Sequence, residues 1–205
     1  MSYFFVFNQR RHFPAATQRN MLLLHMFVVV GTLLRSTRAA SNLQNIAINK
    51  PTNQSSTFSS HYRSDHAVDG NRNPFSSEGS CSSSTTDGSD LRPYWFVSLE
   101  DECSVDEVVV YNRRDCCSDR LTGIKVYLGK NAPVTWASDL NKEVFCGERT
   151  QSTDGVSKVT ISCDNKKGRF VSILKPTPIL TLCELEIFGK CSAGELFPVL
   201  YFFGD

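Results

Sequence analysis

The chain has 205 residues, 40% of them hydrophobic, with 22 basic and 21 acidic side chains and eight cysteines. Residues 1–40 carry five arginines and no acid, so the remaining 17 basic and 21 acidic side chains leave residues 41–205 at a net charge of −4. A slightly acidic chain makes a poor ligand for phosphate backbones, which excludes nucleic acid as an expected partner.

In chain order, the first element is a leader. Leu22 to Leu34 form a short apolar run, preceded by Arg10, Arg11 and Arg19 and followed by Arg35-Ser36-Thr37-Arg38-Ala39-Ala40. This pattern predicts a secretory signal cleaved near Ala39 or Ala40, with Met21 the better start and residues 1–20 an upstream extension. The run is too short to span a bilayer comfortably, so no membrane span is expected. The mature chain, about 150 residues, has the size of one domain with a real core. A domain over 41–191 and a short apolar tail over 192–205 complete the division.

All eight cysteines lie between Cys81 and Cys191. An even number in an oxidising compartment predicts disulfides that reinforce the core, although eight cysteines allow about 105 pairings. No segment has sustained helical periodicity. Period-two alternation recurs instead, at Val105–Tyr111, Ile124–Leu128, Val159–Cys163, Phe170–Leu174 and Thr181–Phe188. Tyr94–Leu99 reads as a strand buried on both faces. Gly79–Asp90 is Ser/Thr-rich and reads as a loop held at Cys81. Short strands separated by Gly, Asn, Asp, Ser and Pro predict an all-β antiparallel sandwich.

The stretch Asn112 to Arg120 (NRRDCCSDR) carries the chemistry. If Cys116 and Cys117 bond each other they close an eight-membered ring. Adjacent Cα atoms lie about 3.8 Å apart, whereas ordinary disulfides want roughly 4.4–6.8 Å. Such a ring is a small, rigid, apolar plate, and strain of this kind sits at functional sites. A plate beside guanidiniums and a carboxylate suits a sugar, with C–H groups on the plate and hydroxyls on the charges. The alternative is that each cysteine bonds a distant partner and the arginines are solvated.

Asn45 to Cys191 resembles the F-type lectins, the fucose-binding agglutinins. The resemblance rests on Ala47–Phe58, on His66-Ala67-Val68-Asp69-Gly70-Asn71, on Pro93–Leu99 and on Cys183–Gly189. Its most specific element is Arg113, Asp115 and Arg120 in the RxD(x4)R/K pattern around Cys116-Cys117. It implies a jelly-roll sandwich like discoidin and coagulation factor type C domains. It also implies L-fucose or fucosylated glycans as ligand. Arg113 and Arg120 would donate to hydroxyls, Asp115 would orient the arginines, and Cys116–Cys117 would pack on the pyranose. Phe75 would wall the methyl pocket. The family's histidine is missing. Counted back from Arg113 its place falls on Thr86, and counted forward from Cys81 on Ser83, because this loop is longer. A hydroxyl from Ser83, Thr85 or Thr86 would stand in, and a lost bond costs about 0.5–1.5 kcal/mol, up to roughly tenfold in affinity.

The resemblance further implies a structural Ca²⁺ held by His66, Asp69, Asn71, Ser80, Cys183 and Glu184. Backbone carbonyls supply several of these ligands, so Asp69 and Glu184 carry the signal. The implied disulfides are Cys81–Cys183, Cys116–Cys117 and Cys146–Cys163, with Cys103–Cys191 as the remaining pair. Catalysis is not expected: no nucleophile elbow, HExxH or phosphate loop occurs. Asp115 and Asp119 do not make a glycosidase pair, because neighbouring arginines hold both ionised. The expected function is a secreted, calcium-stabilised lectin for terminal L-fucose in innate recognition, with homo-oligomers such as trimers giving multivalency. The alternative is a protein- or lipid-binding module of the same fold with an altered sugar site. Asn53-Gln54-Ser55 is one glycosylation sequon.

Overall fold

The computed structural model describes residues 44–133 and 143–192. The leader over 1–40 and the apolar run 196–203 lie outside the described residues. Among the described residues, nine strands follow in chain order: β1 (Gln44–Asn45), β2 (Thr52–Gln54), β3 (Ser82–Ser83), β4 (Tyr94–Tyr111), β5 (Lys125–Gly129), β6 (Val144–Glu148), β7 (Lys158–Leu174), β8 (Thr181–Leu182) and β9 (Glu184–Cys191). Helical structure among the described residues is limited to three short 3-10 turns, at Ser64–Ala67, Ser76–Glu78 and Ser118–Leu121.

The architecture is an all-β, antiparallel sandwich. Seven strands form one sheet in the order β1-β9-β4-β7-β5-β6, with β2 on β4, and β3 pairs β8 separately. Two long strands organise it. Near its start, β4 takes β2 on one side and the end of β7 on the other, through Tyr94–Ser98. Beyond a register shift, Cys103–Tyr111 takes β9 and the start of β7. The ribbon therefore serves both layers. Its bends fall at Glu100, and at Asp164 and Asn165, all with positive φ. Extra residues at such bulges raise the local twist and turn a strand from one layer to the next.

Strand alternation explains the core. Trp95, Val97 and Leu99 of β4 and Val159, Ile161 and Cys163 of β7 point into one hydrophobic cluster with Val126, Leu128, Leu185 and Ile187. The Trp95 indole Nε1 donates to the Ser64 carbonyl at 2.9 Å, which satisfies its one polar atom. Tyr94–Leu99 is not buried on both faces. Its outward residues Tyr94 and Phe96 are half-buried, stacked on each other, with Phe170 edge-on to Phe96. The long apolar strand is thus an inner face plus an aromatic outer strip. The expected Gly79–Asp90 loop contains β3, which pins Ser82 to Leu182 and Ser83 to Thr181.

Four disulfides join Cys81–Cys183, Cys103–Cys191, Cys116–Cys117 and Cys146–Cys163, as the resemblance implies. Gly189 is fixed by space: a Cβ there would run into the Ser104 carbonyl oxygen where β9 crosses β4. Gly189→Ala is therefore expected to cost about 1–3 kcal/mol by overpacking, read as a fall in Tm at unchanged disulfide content.

Candidate functional site

The arginine loop begins where β4 ends. Asn112, almost fully buried, donates through Nδ2 to the carbonyls of Ser118 and Val156, at 2.7 and 3.0 Å. These bonds anchor the loop base. Arg113 then turns back on Asp115, with Nε donating to Oδ1 at 2.7 Å and Nη2 to Oδ2 at 2.9 Å. A guanidinium has five N–H donors, so three remain for a ligand. The Ser76 amide also donates to Asp115 Oδ1, at 3.4 Å, and the Arg114 amide donates to the Pro74 carbonyl at 2.9 Å. The loop over 72–76 is thereby tied to the arginine loop.

Cys117 adopts the left-handed conformation, φ +56°, and starts the 3-10 turn that carries Arg120. Arg120 Nη1 donates to Thr181 Oγ1 at 3.2 Å. Thr181 in turn shares a hydrogen bond with Ser83 Oγ at 3.1 Å, and Ser83 Oγ donates to the Ser84 carbonyl. Burial, and the neighbouring Arg113 charge, push the Arg120 guanidinium below its ordinary range. Arg113 holds Asp115 below the usual carboxylate range.

Arg113 and Arg120 meet across a pocket of about 280 Å³ whose other walls are Phe58, Tyr62, Ser83 and Thr86. Phe58 and Tyr62 pack edge to face, with ring centroids 5.2 Å apart. Their chain is clamped to β3: the Phe58 amide donates to the Ser83 carbonyl, and the Ser83 amide to that of Tyr62. Two cationic donors against an aromatic pair give a site for a ligand with hydroxyls on one face and C–H groups on the other.

Several predicted residues converge and others do not. Ser83 and Thr86, the two positions counted for the missing histidine, both line the pocket. Ser83 is buried with its hydroxyl already bonded, so Thr86 presents the open hydroxyl. Thr85 turns away onto Asp87. Phe75 is 47% exposed and does not line this pocket; Phe58 and Tyr62 make its aromatic wall. The residue-level reason is that the 72–76 loop meets the site through the Ser76 amide rather than through the Phe75 ring. Two aromatics four residues apart in a polar loop were the readable signal for the wall. Cys117 lines an adjoining pocket that shares Arg120, and Cys116 is exposed.

A second cluster lies at the start of β9. Glu184 is fully buried, and its Oε1 accepts from the Gly70 amide at 3.2 Å. Its Oε2 has no hydrogen-bond partner. Burial, with the Asp69 charge added, pushes this carboxyl up to about 8. Glu186, two residues on, is satisfied by Arg72 and by the Tyr111 hydroxyl. The Cys81–Cys183 bond brings Ser80 alongside. Ser80 Oγ donates to the carbonyls of Asn73 and Phe75, at 2.8 and 3.0 Å. Asp69 Oδ1 accepts from the Asn71 amide at 2.8 Å, and His66 Nδ1 is buried without a partner. A buried carboxylate oxygen with no donor, beside a second acid, fits a hard cation. Among the described residues no group of three or more His, Cys, Asp or Glu gathers at one point, so any such ion would lean on backbone oxygens.

A family profile described as an F5/F8 type C, NedA-like, galactose-binding domain matches residues 66–173. Fucolectin-6 of Anguilla japonica is 32% identical over 157 residues, 74% of this chain and 78% of that protein. The chain belongs to the F-type lectin family. The crystal structure of a fucolectin from the serum of striped bass (Morone saxatilis) superposes with a TM-score of 0.64 at 30% identity, covering 75% of this chain and 52% of that one. The match thus spans about half the length of the bass lectin. A fucose-binding module of Streptococcus pneumoniae superposes at 0.58 with 28% identity, covering 74% of this chain and 99% of that one. F-type lectins are binding modules rather than enzymes, which agrees with the lack of a catalytic constellation in the sequence.

Proposed function

We propose that this F-type lectin is a secreted, calcium-stabilised module that binds terminal L-fucose on glycans, in recognition of foreign cells. One observation carries the reading. Arg113, oriented by Asp115 with three N–H groups to spare, faces Arg120 across an aromatic-walled pocket. A deoxy sugar matches that wall: its hydroxyls take the guanidinium donors and its methyl takes the rings of Phe58 and Tyr62. The bass fucolectin and the pneumococcal fucose-binding module support the choice of sugar. Four disulfides and the arginine-flanked apolar run at Leu22–Leu34 support secretion. The unpartnered Glu184 Oε2 supports Ca²⁺, held by Asp69 and Glu184 with carbonyl oxygens of His66, Asn71 and Cys183 and with Ser80. A trimer or other homo-oligomer would raise the avidity of a weak single site.

Calorimetric titration of L-fucose and D-galactose into the secreted full chain with calcium tests this. Selective heat with fucose is the expected result, and no heat with either sugar overturns it. The threonine at the histidine's place favours a second reading, a module whose sugar site has lapsed and whose ligand is a protein or lipid. In that case folded, calcium-loaded protein gives no heat with any sugar.

Two smaller effects follow from the geometry. Thr86→Ala is expected to weaken fucose binding by up to roughly tenfold, the worth of one neutral hydrogen bond. Asp115 titrates below the usual carboxylate range. Its contribution is present above that range and is lost only as pH falls through the lowered value. Fucose affinity at saturating calcium is therefore expected to stay flat from about pH 8 to pH 5, which titrations across that window check.

A further inference from the structure

Asn53-Gln54-Ser55 is the one Asn-X-Ser/Thr triplet in the sequence with X other than proline, and no role assigned above uses it. It starts on β2, whose three residues alternate between two faces. Gln54 points inward, where its Nε2 donates to the carbonyls of Tyr62 and Ser83 at 3.0 and 3.3 Å, two residues of the arginine pocket. Asn53 points outward and is exposed. Its Oδ1 accepts from the Gln54 amide at 2.7 Å, and its Nδ2 has no partner among the described residues.

Asn53 is the first residue of a row that crosses the outer face of the sheet. It stands directly opposite Phe96, Phe96 opposite Ser172, Ser172 opposite Tyr127, and Tyr127 opposite Phe145. Residues directly opposite on antiparallel strands share a face. The sequon amide and three aromatic rings therefore lie on one band about 19 Å long, four strand spacings. Phe96 stacks on Tyr94 and takes Phe170 edge-on, and Tyr127 packs on Phe145 with ring centroids 5.2 Å apart. Phe145 is 44% exposed, and Tyr94, Phe96, Tyr127 and Phe170 are half-buried. A contiguous aromatic band of this kind marks a surface that something covers.

The nearest occupant is one the chain would carry itself. N-acetylglucosamine has a C–H face and an N-acetyl methyl that suit the electron-rich face of an aromatic ring, while its polar edges stay in water. A sugar on Asn53 Nδ2 starts one strand spacing, about 4.8 Å, from Phe96. We infer that Asn53 carries an N-linked glycan whose first N-acetylglucosamine lies over the Phe96 ring and covers the aromatic band. The inference rests on the secretion reading. The co-reactant is an oligosaccharide on a polyprenyl pyrophosphate. Asn53 Nδ2 bonds to C1 of its reducing sugar, the C1–O bond to the pyrophosphate breaks, the lipid pyrophosphate leaves with the electron pair, and one amide proton goes to a base. In the fold the Ser55 hydroxyl is engaged with Asp90 and the Tyr94 amide, so the transfer precedes folding. Because Asn53 and Gln54 point to opposite faces of β2, the glycan leaves the arginine pocket open.

The test uses the full chain expressed for secretion in cultured mammalian cells. Mass spectrometry of the peptide that holds Asn53 is expected to show a glycan that peptide N-glycosidase removes. Asn53→Gln is expected to lower Tm by about 2–5 °C, the effect of one aromatic contact in a domain of this size, with L-fucose affinity unchanged. In a Phe96→Leu background the same change is expected to lower Tm by less than about 1 °C. An NOE between the N-acetyl methyl and the Phe96 ring reads the contact directly, even where the Phe96 variant does not fold. A secreted chain with Asn53 unmodified overturns the inference and leaves the secretion reading standing. A glycan whose loss costs the same in both backgrounds, or that gives no NOE, overturns the covering of the band. So does an oligomer of the glycosylated chain that Phe96→Leu disperses, which puts a second copy there. A folded chain retained in the cell overturns the secretion reading, and the glycan with it.

Discussion

Arg113→Ala is expected to abolish sugar binding while leaving the fold in place. The guanidinium is held in the plane of the Asp115 carboxylate by two bonds of 2.7 and 2.9 Å. Removing it deletes the oriented donors and leaves Asp115 with the Ser76 amide alone. Each charge-assisted bond to a ligand hydroxyl is worth about 1.5–3 kcal/mol. Two such bonds lost correspond to roughly 10² to 10⁴ in affinity. Calorimetry with L-fucose should then show no measurable heat. The fold should barely notice, because ion pairs near the surface contribute about 0–1 kcal/mol. A thermal melt of the variant makes the comparison fair. Binding equal to the parent's would move the sugar site away from this loop.

The second large effect concerns the cation. Chelating calcium from the full chain is expected to lower Tm, and the Glu184→Gln protein is expected to ignore both chelator and calcium. Glu184 Oε2 is buried with no donor, in reach of the Asp69 charge. An ion there would supply the missing partner and offset two acids at once. At a calcium concentration of about 100 times Kd the stabilisation is about 2.7 kcal/mol. For a domain of this size that is about 5–10 °C in Tm. Glutamine fills the same volume without the charge, so its melt should be the same in chelator and in calcium. A parent whose melt does not shift on chelation would remove calcium from the reading, and the unsatisfied oxygen would need another partner.

Much of this was legible in the chain. Alternation at Val159, Ile161 and Cys163 marked an inner face correctly, because a period of two has one meaning on a sandwich. Short strands were expected where β4 and β7 are long. Bulges at Glu100 and Asp164 interrupt the period without ending the strand, and a sequence pattern reads an interruption as an end. In the site, Arg113, Asp115 and Arg120 could be read because they are neighbours in sequence. Phe58 and Tyr62 offered only their four-residue spacing, because their approach to the arginines depends on backbone bonds to Ser83, which no local pattern encodes. Glu184 was readable as an acid in a strand, but its burial depends on the Gly70 turn more than a hundred residues away.

The long ribbon has a kinetic consequence. It pairs Tyr94 with Leu174 and Tyr111 with Lys158, partners distant in sequence at both ends. Contacts of that kind cost loop entropy before they return anything, so such topologies fold in milliseconds to seconds. The arginine loop hangs from the end of β4, and β9 starts opposite it, with Glu184 paired to Tyr111. Neither cluster can assemble before the two strands have zipped. Ligand capture during refolding would then report the last stage of the reaction, and an affinity resin would retain only molecules that had finished it.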